Sequence, residues 1–308
     1  MRSTWVRVVG WTVAAAILIL AGRSVAHNWE QLRTQPLDWR VRPAWILLSA
    51  LVVWLMYGIL IVAWRRMLAG WGQRLRGWTA ARIWTVSSLG KYIPGKVWAV
   101  AGMALMSKEA GIEPWAATGS AVILQVLAIG TGAAVAACTG AGALEATRPG
   151  IRAALVALVV ASVVGVGLLL WPPVLQRLLR LTGADLHSGS GPAAGGILFG
   201  IVANLVAWMG YGVSLWLLAR GILPDAGLTL LPAITVFTAS YLAGFLALLV
   251  PGGFGVREGL FILMLQGSIG IGAATALALA SRLLLTITEV GAAVPFLVFP
   301  RGRTRVAS

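Results

Sequence analysis

Apolar positions along the chain gather into blocks long enough to cross a bilayer, and the joints between them are short and rich in arginine. A helix that crosses the hydrocarbon core needs about twenty mostly apolar residues. Blocks of that length lie at 6–22, 44–64, 114–137, 151–171 and 195–218. A longer apolar run, 260–299, holds only Arg282 and Glu289 as ionisable residues. Two other stretches break the pattern. The run 83–110 is interrupted by Gly90-Lys91-Tyr92-Ile93-Pro94-Gly95-Lys96, and the run 231–250 stops at Pro251-Gly252-Gly253-Phe254-Gly255-Val256-Arg257-Glu258-Gly259. Proline removes a backbone donor and glycine loosens a helix. Pro94, Gly95, Pro251 and Gly252 are therefore read as helix breaks, each separating two half-helices too short to span alone. The pattern predicts an all-α polytopic membrane protein, a single transmembrane domain over 1–308, with about six full spans and two broken, re-entrant hairpins.

Each break puts Pro-Gly after an apolar residue in the middle of a membrane-depth segment, and three spans lie between the two breaks. The breaks would then enter from opposite faces. Inverted repeats with discontinuous helices are built this way in transporters. The halves would cover about 44–137 and 195–299. Kink chemistry alone is the competing explanation of the same residues.

Charge orients the chain. Arg65, Arg66, Arg74, Arg76 and Arg82 follow the second block with no acid among them, so this joint is cytoplasmic by the positive-inside rule. Counting spans from it places the N-terminus, with Arg2 and Arg7, and the tail, with Arg301, Arg303 and Arg305, on the same side. The expected location is the cytoplasmic membrane. Ser24 and Ala26 after the first block have signal-cleavage spacing, but an uncleaved first helix suits a multispanning chain better. The stretch 23–43, with Trp29 and Trp39, reads as interfacial.

Composition narrows the class. The chain is 59% hydrophobic and 11% charged, against about 25% charged in an ordinary soluble domain. That excludes disorder and an ordinary soluble fold. The formal net charge of +15 would suggest nucleic acid in a soluble protein. Here the basic residues sit in the joints, so they read as topology determinants and contacts for anionic lipid headgroups. Cys138 is alone, and His27 and His187 lie in polar loops, so no metal site is expected. There is no nucleophilic triad, paired-carboxylate spacing, P-loop or dinucleotide fingerprint. No cofactor and no enzymatic activity are expected.

Ionisable residues at membrane depth are costly and are functional candidates by default. Arg257 offers a fixed cation with a fork suited to phosphate. The backbone around Gly253, at a half-helix N-terminus, could add N–H donors. Lys91 and Lys96 flank the first break and could bind a phosphate or snorkel to the interface. Glu258, Arg282 and Glu289 are candidates for charge balance or ion coupling: Arg282 and Glu289, seven residues apart, share a helix face and could meet through a neighbouring group, or Arg282 could pair with Glu258 in a structural pair. Tyr92 and Trp98 fit an aromatic belt. Gln125 and Asn204 suggest interhelical hydrogen bonds, and Gly196/Gly200 has the spacing of a helix-contact motif.

The segment Leu89-Gly90-Lys91-Tyr92-Ile93-Pro94-Gly95-Lys96-Val97-Trp98, followed by Lys108-Glu109-Ala110-Gly111-Ile112, resembles the "YxPGK" segment of the lysylphosphatidylglycerol synthase transmembrane-region family. Residues 251–259 resemble its second signature, and Ser281-Arg282-Leu283 its arginine-bearing last helix. The resemblance covers roughly residues 10–300. It implies lipid handling: the family includes the membrane half of the multiple peptide resistance factor, which moves aminoacylated phosphatidylglycerol between leaflets. The best-known members also carry a cytosolic aminoacyl-transferase domain. This sequence has none, so it is not expected to make the lysyl lipid by itself. The resemblance also implies an acidic residue near position 125, where this chain has Gln125. The expectation is a flippase-like protein for an anionic phospholipid or a polyprenyl phosphate. The alternative is a non-catalytic membrane partner of a lipid-modifying enzyme or glycosyltransferase. Homo-oligomerisation is left open.

Overall fold

A computed structural model describes residues 40–92, 97–147, 194–247 and 253–298, with four single positions between the second and third stretches. The block at 6–22, most of the block at 151–171, most of the segment 23–43, the arginine tail, and Pro94, Gly95, Lys96, Pro251 and Gly252 lie outside the described residues.

Eight α-helices make up the described chain: α1 Pro43–Gly70, α2 Gly77–Ser88, α3 Val97–Glu109, α4 Pro114–Thr147, α5 Ala194–Ile222, α6 Leu230–Leu246, α7 Val256–Ile269 and α8 Ile271–Val298. A 3-10 turn, Leu89–Tyr92, follows α2. Four helices are long and apolar enough to cross a membrane: α1, α4 (over Pro114–Gly140), α5 and α8. The longest of the other four, α6, has 17 residues, or about 26 Å at 1.5 Å per residue, short of the roughly 30 Å hydrocarbon core.

The run 260–299 is not one continuous helix. Gly270 takes φ +82, a left-handed conformation that ends α7 and starts α8. L-residues with a Cβ rarely adopt it. The same device recurs. Gly111 (φ +76) joins α3 to α4, and Gly72 (φ +73) and Gly227 (φ +69) stand between α1 and α2 and between α5 and α6. The order long helix, glycine, short helix, Pro-Gly break, short helix, glycine, long helix therefore occurs twice, with nearly constant spacing between counterparts. Exchanging α1–α4 for α5–α8 also maps each pair of helices in substantial contact onto another such pair. Thus α4 with α6 corresponds to α8 with α2, and α4 with α5 to α8 with α1.

The centre of the fold is the antiparallel pair of α1 and α5. Helix α1 begins on Pro43, which has no N–H to leave unsatisfied, behind an extended Arg42. The Arg42 N–H reaches the carbonyl of Gly221 at the opposite end of α5. Small residues on α5 admit the side chains of α1: Gly200 faces Met67, Gly210 faces Met56, and Gly221 faces Ile46. With no hydrophobic drive between helices in lipid, close packing of this kind and polar cross-links hold them. One cross-link is reciprocal. Ser49 Oγ donates to the Ser214 carbonyl at 2.6 Å, and Ser214 Oγ donates back to the Ser49 carbonyl at 3.1 Å. Leu47, Leu48, Leu51 and Leu55 on α1 remain exposed, an apolar outer face for lipid.

Two polar expectations are corrected. Asn204 is buried and donates to the Gly200 carbonyl of its own helix at 2.8 Å, and it makes no interhelical hydrogen bond among the described residues. Gln125 is exposed. The Gly196/Gly200 pair does serve a helix contact, against α1 at Met67.

Candidate functional site

The limbs of each break touch through a glycine. A Cβ on Gly90 would lie 2.6 Å from the Ala99 backbone nitrogen, and one on Gly253 would lie 2.7 Å from backbone atoms of Gly244. Gly244 also lies against the base of the Arg257 side chain. Gly253 therefore has a packing role, which allows the chain after the second break to lie directly on α6.

The first break is seated on α8. Leu89 packs against Val290 and Ala293, and the next residues reach Glu289. Lys91 Nζ pairs with Glu289 Oε1 at 2.5 Å. Tyr92 OH donates to Oε2 at 2.7 Å, and Tyr57 OH, from α1, donates to Oε1 at 2.7 Å. One turn of α8 is also fixed to α1, because Trp54 Nε1 donates to the Thr288 carbonyl at 2.9 Å. Glu289 is buried, at 6% exposure, and three donors meet its carboxylate. A buried carboxylate is tolerated when it is paired and hydrogen-bonded in this way. The expectation for Tyr92 is overturned: it turns inward, whereas Trp98 is exposed. Lys91 reaches inward to Glu289 and does not snorkel.

The second break carries three charges. Glu258 Oε2 accepts the Gly255 N–H at 2.8 Å, capping α7 from within, while its Oε1 pairs with Arg282 Nη1 of α8 at 2.5 Å. Arg282 lies over the Phe254 ring, 3.5 Å from its centroid. Arg257 is different. It is buried, yet among the described residues its one hydrogen bond runs from Nη2 to Ser281 Oγ at 3.1 Å, and no carboxylate is within ion-pair distance. Its guanidinium lies 5.4 Å from the ring centroids of both Phe237 and Tyr241. Aromatic faces stabilise a desolvated cation but leave its N–H fork open.

The sequence reading missed the aromatic part of the site. Tyr211, Phe237 and Tyr241 form a stack, with centroids 5.3 and 5.8 Å apart, and Tyr57 meets Tyr211 edge-on at 6.3 Å. All four tyrosines of the chain, Tyr57, Tyr92, Tyr211 and Tyr241, lie within electrostatic reach of one another or of Glu289. The stack links the Arg257 cation to the Lys91–Glu289 pair. A signal was available: three of these tyrosines fall inside apolar spans, where a phenol hydroxyl needs a partner.

The site thus gathers elements of both breaks, a buried cation with one hydrogen bond among the described residues, and tyrosine hydroxyls, at the depth of the apolar helices. A family model for the lysylphosphatidylglycerol synthase transmembrane region matches residues 7–290. The chain belongs to that family. This gives it a membrane, lipid-related setting, and the matched region is the family's non-catalytic part. A comparison with curated proteins finds no match. Both Lys91 and Arg257, with their partners Glu289 and Ser281, fall within the matched span. Lys96 lies outside the described residues.

Proposed function

We propose that this protein is a flippase-like carrier, without enzymatic activity of its own, that binds an anionic, phosphate-bearing lipid and moves it between leaflets. Arg257 carries the reading. An arginine buried among apolar helices, stacked on aromatic rings and lacking a carboxylate partner among the described residues, suits an anionic ligand. Its planar fork matches a phosphate, and Tyr92, which meets Glu289 together with Lys91, lies within electrostatic reach of Arg257.

The architecture supports carriage across the membrane. We read α1–α4 and α5–α8 as inverted halves. Their repeated element order, shared glycine joints and interchangeable contacts, together with the antiparallel α1 and α5, support that reading. Broken helices meeting near the midplane are where carriers of this build bind substrate. The termini would be cytoplasmic, in the cytoplasmic membrane, with the arginine-rich joint 65–82 on the same side.

The test is reconstitution in proteoliposomes with headgroup-labelled anionic phospholipids and polyprenyl phosphates, read with a membrane-impermeant quencher. The expected result is movement of at least one lipid by the native chain and its loss in Arg257→Ala. Retained movement in a well-folded Arg257→Ala protein would overturn the assignment of the site. No movement of any lipid by folded native protein would overturn carriage and favour a partner role beside a lipid-modifying enzyme.

A further inference from the structure

We infer that Glu289 sets the headgroup charge this site accepts, and that it selects a lipid phosphodiester, with one negative charge, over a phosphomonoester dianion. The inference rests on the reading that Arg257 holds a lipid phosphate.

The argument is one of charge balance. Among the described residues, the site holds two cations, Arg257 and Lys91, and one anion, Glu289. Arg282 and Glu258 form a neighbouring pair that is neutral as a unit. The other groups facing Glu289 among the described residues carry no fixed charge: Tyr57 from α1, Tyr92 from the 3-10 turn, Thr286 on its own helix, and Tyr211 from α5 within electrostatic reach. Counted over the described residues, these groups carry one positive charge in excess; Lys96, which flanks the first break, lies outside them. Uncompensated charge at membrane depth is costly. A phosphodiester brings the sum to zero. A phosphomonoester dianion overshoots by one, unless a proton neutralises Glu289.

The hydroxyls sharpen the case without altering the sum. Tyr211 and Tyr241 have ring contacts but no hydrogen bond from their hydroxyls among the described residues, and both are half-buried. They can donate to phosphate or ester oxygens of either lipid. Discrimination is thus left to Glu289, which holds Lys91 at 2.5 Å, while Glu258 is committed to Arg282 and to the Gly255 N–H.

The experiment compares binding of short-chain phosphatidylglycerol and short-chain phosphatidate to the purified full chain in detergent. It is run at about pH 8.5, well above the second phosphate pKa of about 6, so the monoester is a dianion. Intrinsic tryptophan fluorescence gives the affinities. The native protein is expected to prefer phosphatidylglycerol. In Glu289→Gln the excess rises to two charges, and the preference should move toward phosphatidate by about tenfold or more. In the double variant Lys91→Gln with Glu289→Gln the excess returns to one, so the phosphodiester preference should return. The double variant removes the ion pair as a unit, so it serves even if the single variant folds poorly. An unchanged ratio in Glu289→Gln, or a double variant that keeps the phosphatidate preference, would overturn the inference. Loss of all binding in Arg257→Ala, together with an unchanged ratio in Glu289→Gln, would sink this inference alone. Full binding by Arg257→Ala would sink the phosphate reading beneath it.

Discussion

The two Pro-Gly breaks share a build but not a fastening. In both, the limbs meet through a glycine, at Gly90 on Ala99 and at Gly253 on Gly244. The second break is closed within its own neighbourhood. Glu258 caps the helix it starts and pairs with Arg282 on the next helix, α8. The first break is fastened at a distance: Lys91 and Tyr92 reach Glu289, separated from Lys91 by 198 positions, and Tyr57 of α1 shares that carboxylate. Motion of α2 against α8 must open the Lys91–Glu289 contact, while it leaves Glu258–Arg282 intact. The second break thus reads as a rigid seat for Arg257, and the first as the contact that a carrier cycle would make and break.

The largest effect should fall on the rigid seat. Glu258→Ala leaves Arg282 buried without its carboxylate and also removes the cap on Gly255. Removing one partner of a buried pair costs about 3–5 kcal/mol. Unfolding of the purified protein in mixed micelles, titrated with sodium dodecyl sulfate, should report a loss of that order. A loss under about 1 kcal/mol would mean that the second break is held by something other than this pair.

Lys91→Met should cost less. Lys91 has a side chain one-third exposed, so its pair is partly solvated, and Tyr57 and Tyr92 still hydrogen-bond Glu289. A cost of about 1–2 kcal/mol is expected in the same titration, below that of Glu258→Ala. The sharper readout is dynamic: hydrogen exchange at residues 86–92 should accelerate, with no change at 256–262. Equal acceleration at both breaks would erase the contrast between a rigid and an opening break.

These contrasts also mark where the sequence was legible. The spans could be read because bilayer thickness imposes a length on apolar runs, and α1, α4, α5 and α8 fall on the expected blocks. Described elements end and begin on either side of both Pro-Gly stretches, at Tyr92 and Val97 and at Leu246 and Val256, while Pro94, Gly95, Pro251 and Gly252 themselves lie outside the described residues. The sequence offers Arg282 two acids, Glu258 and Glu289, and the packing of α7 on α8 decides for Glu258 while Glu289 takes Lys91. What the sequence hid was long-range. Nothing local to Tyr57 or Lys91 says that both meet Glu289, since that depends on how α1, α2 and α8 pack. The positive-φ turn at Gly270 is hidden by the apolar residues around it, in a chain with 38 glycines, six of which take positive φ among the described residues. Asn204 bonds its own helix among the described residues, as a polar residue in a span can do as readily as bond a neighbour.

The smallest effect should come from the part that both breaks lean on. Ser49 and Ser214 exchange hydrogen bonds with each other's carbonyls in the buried α1–α5 contact, with their hydroxyls 2.8 Å apart. Polar links between membrane helices average about 0.6 kcal/mol and reach roughly 1.7 kcal/mol. Ser214→Ala is therefore expected to cost about 1 kcal/mol in mixed-micelle unfolding and to leave lipid movement unaltered. Close packing of Gly200, Gly210 and Gly221 against α1 remains to hold the pair. If the variant instead slowed lipid movement with little loss of stability, the α1–α5 contact would itself be a moving surface. The contrast between the breaks would then have to be redrawn, with both breaks carried on helices that slide against each other.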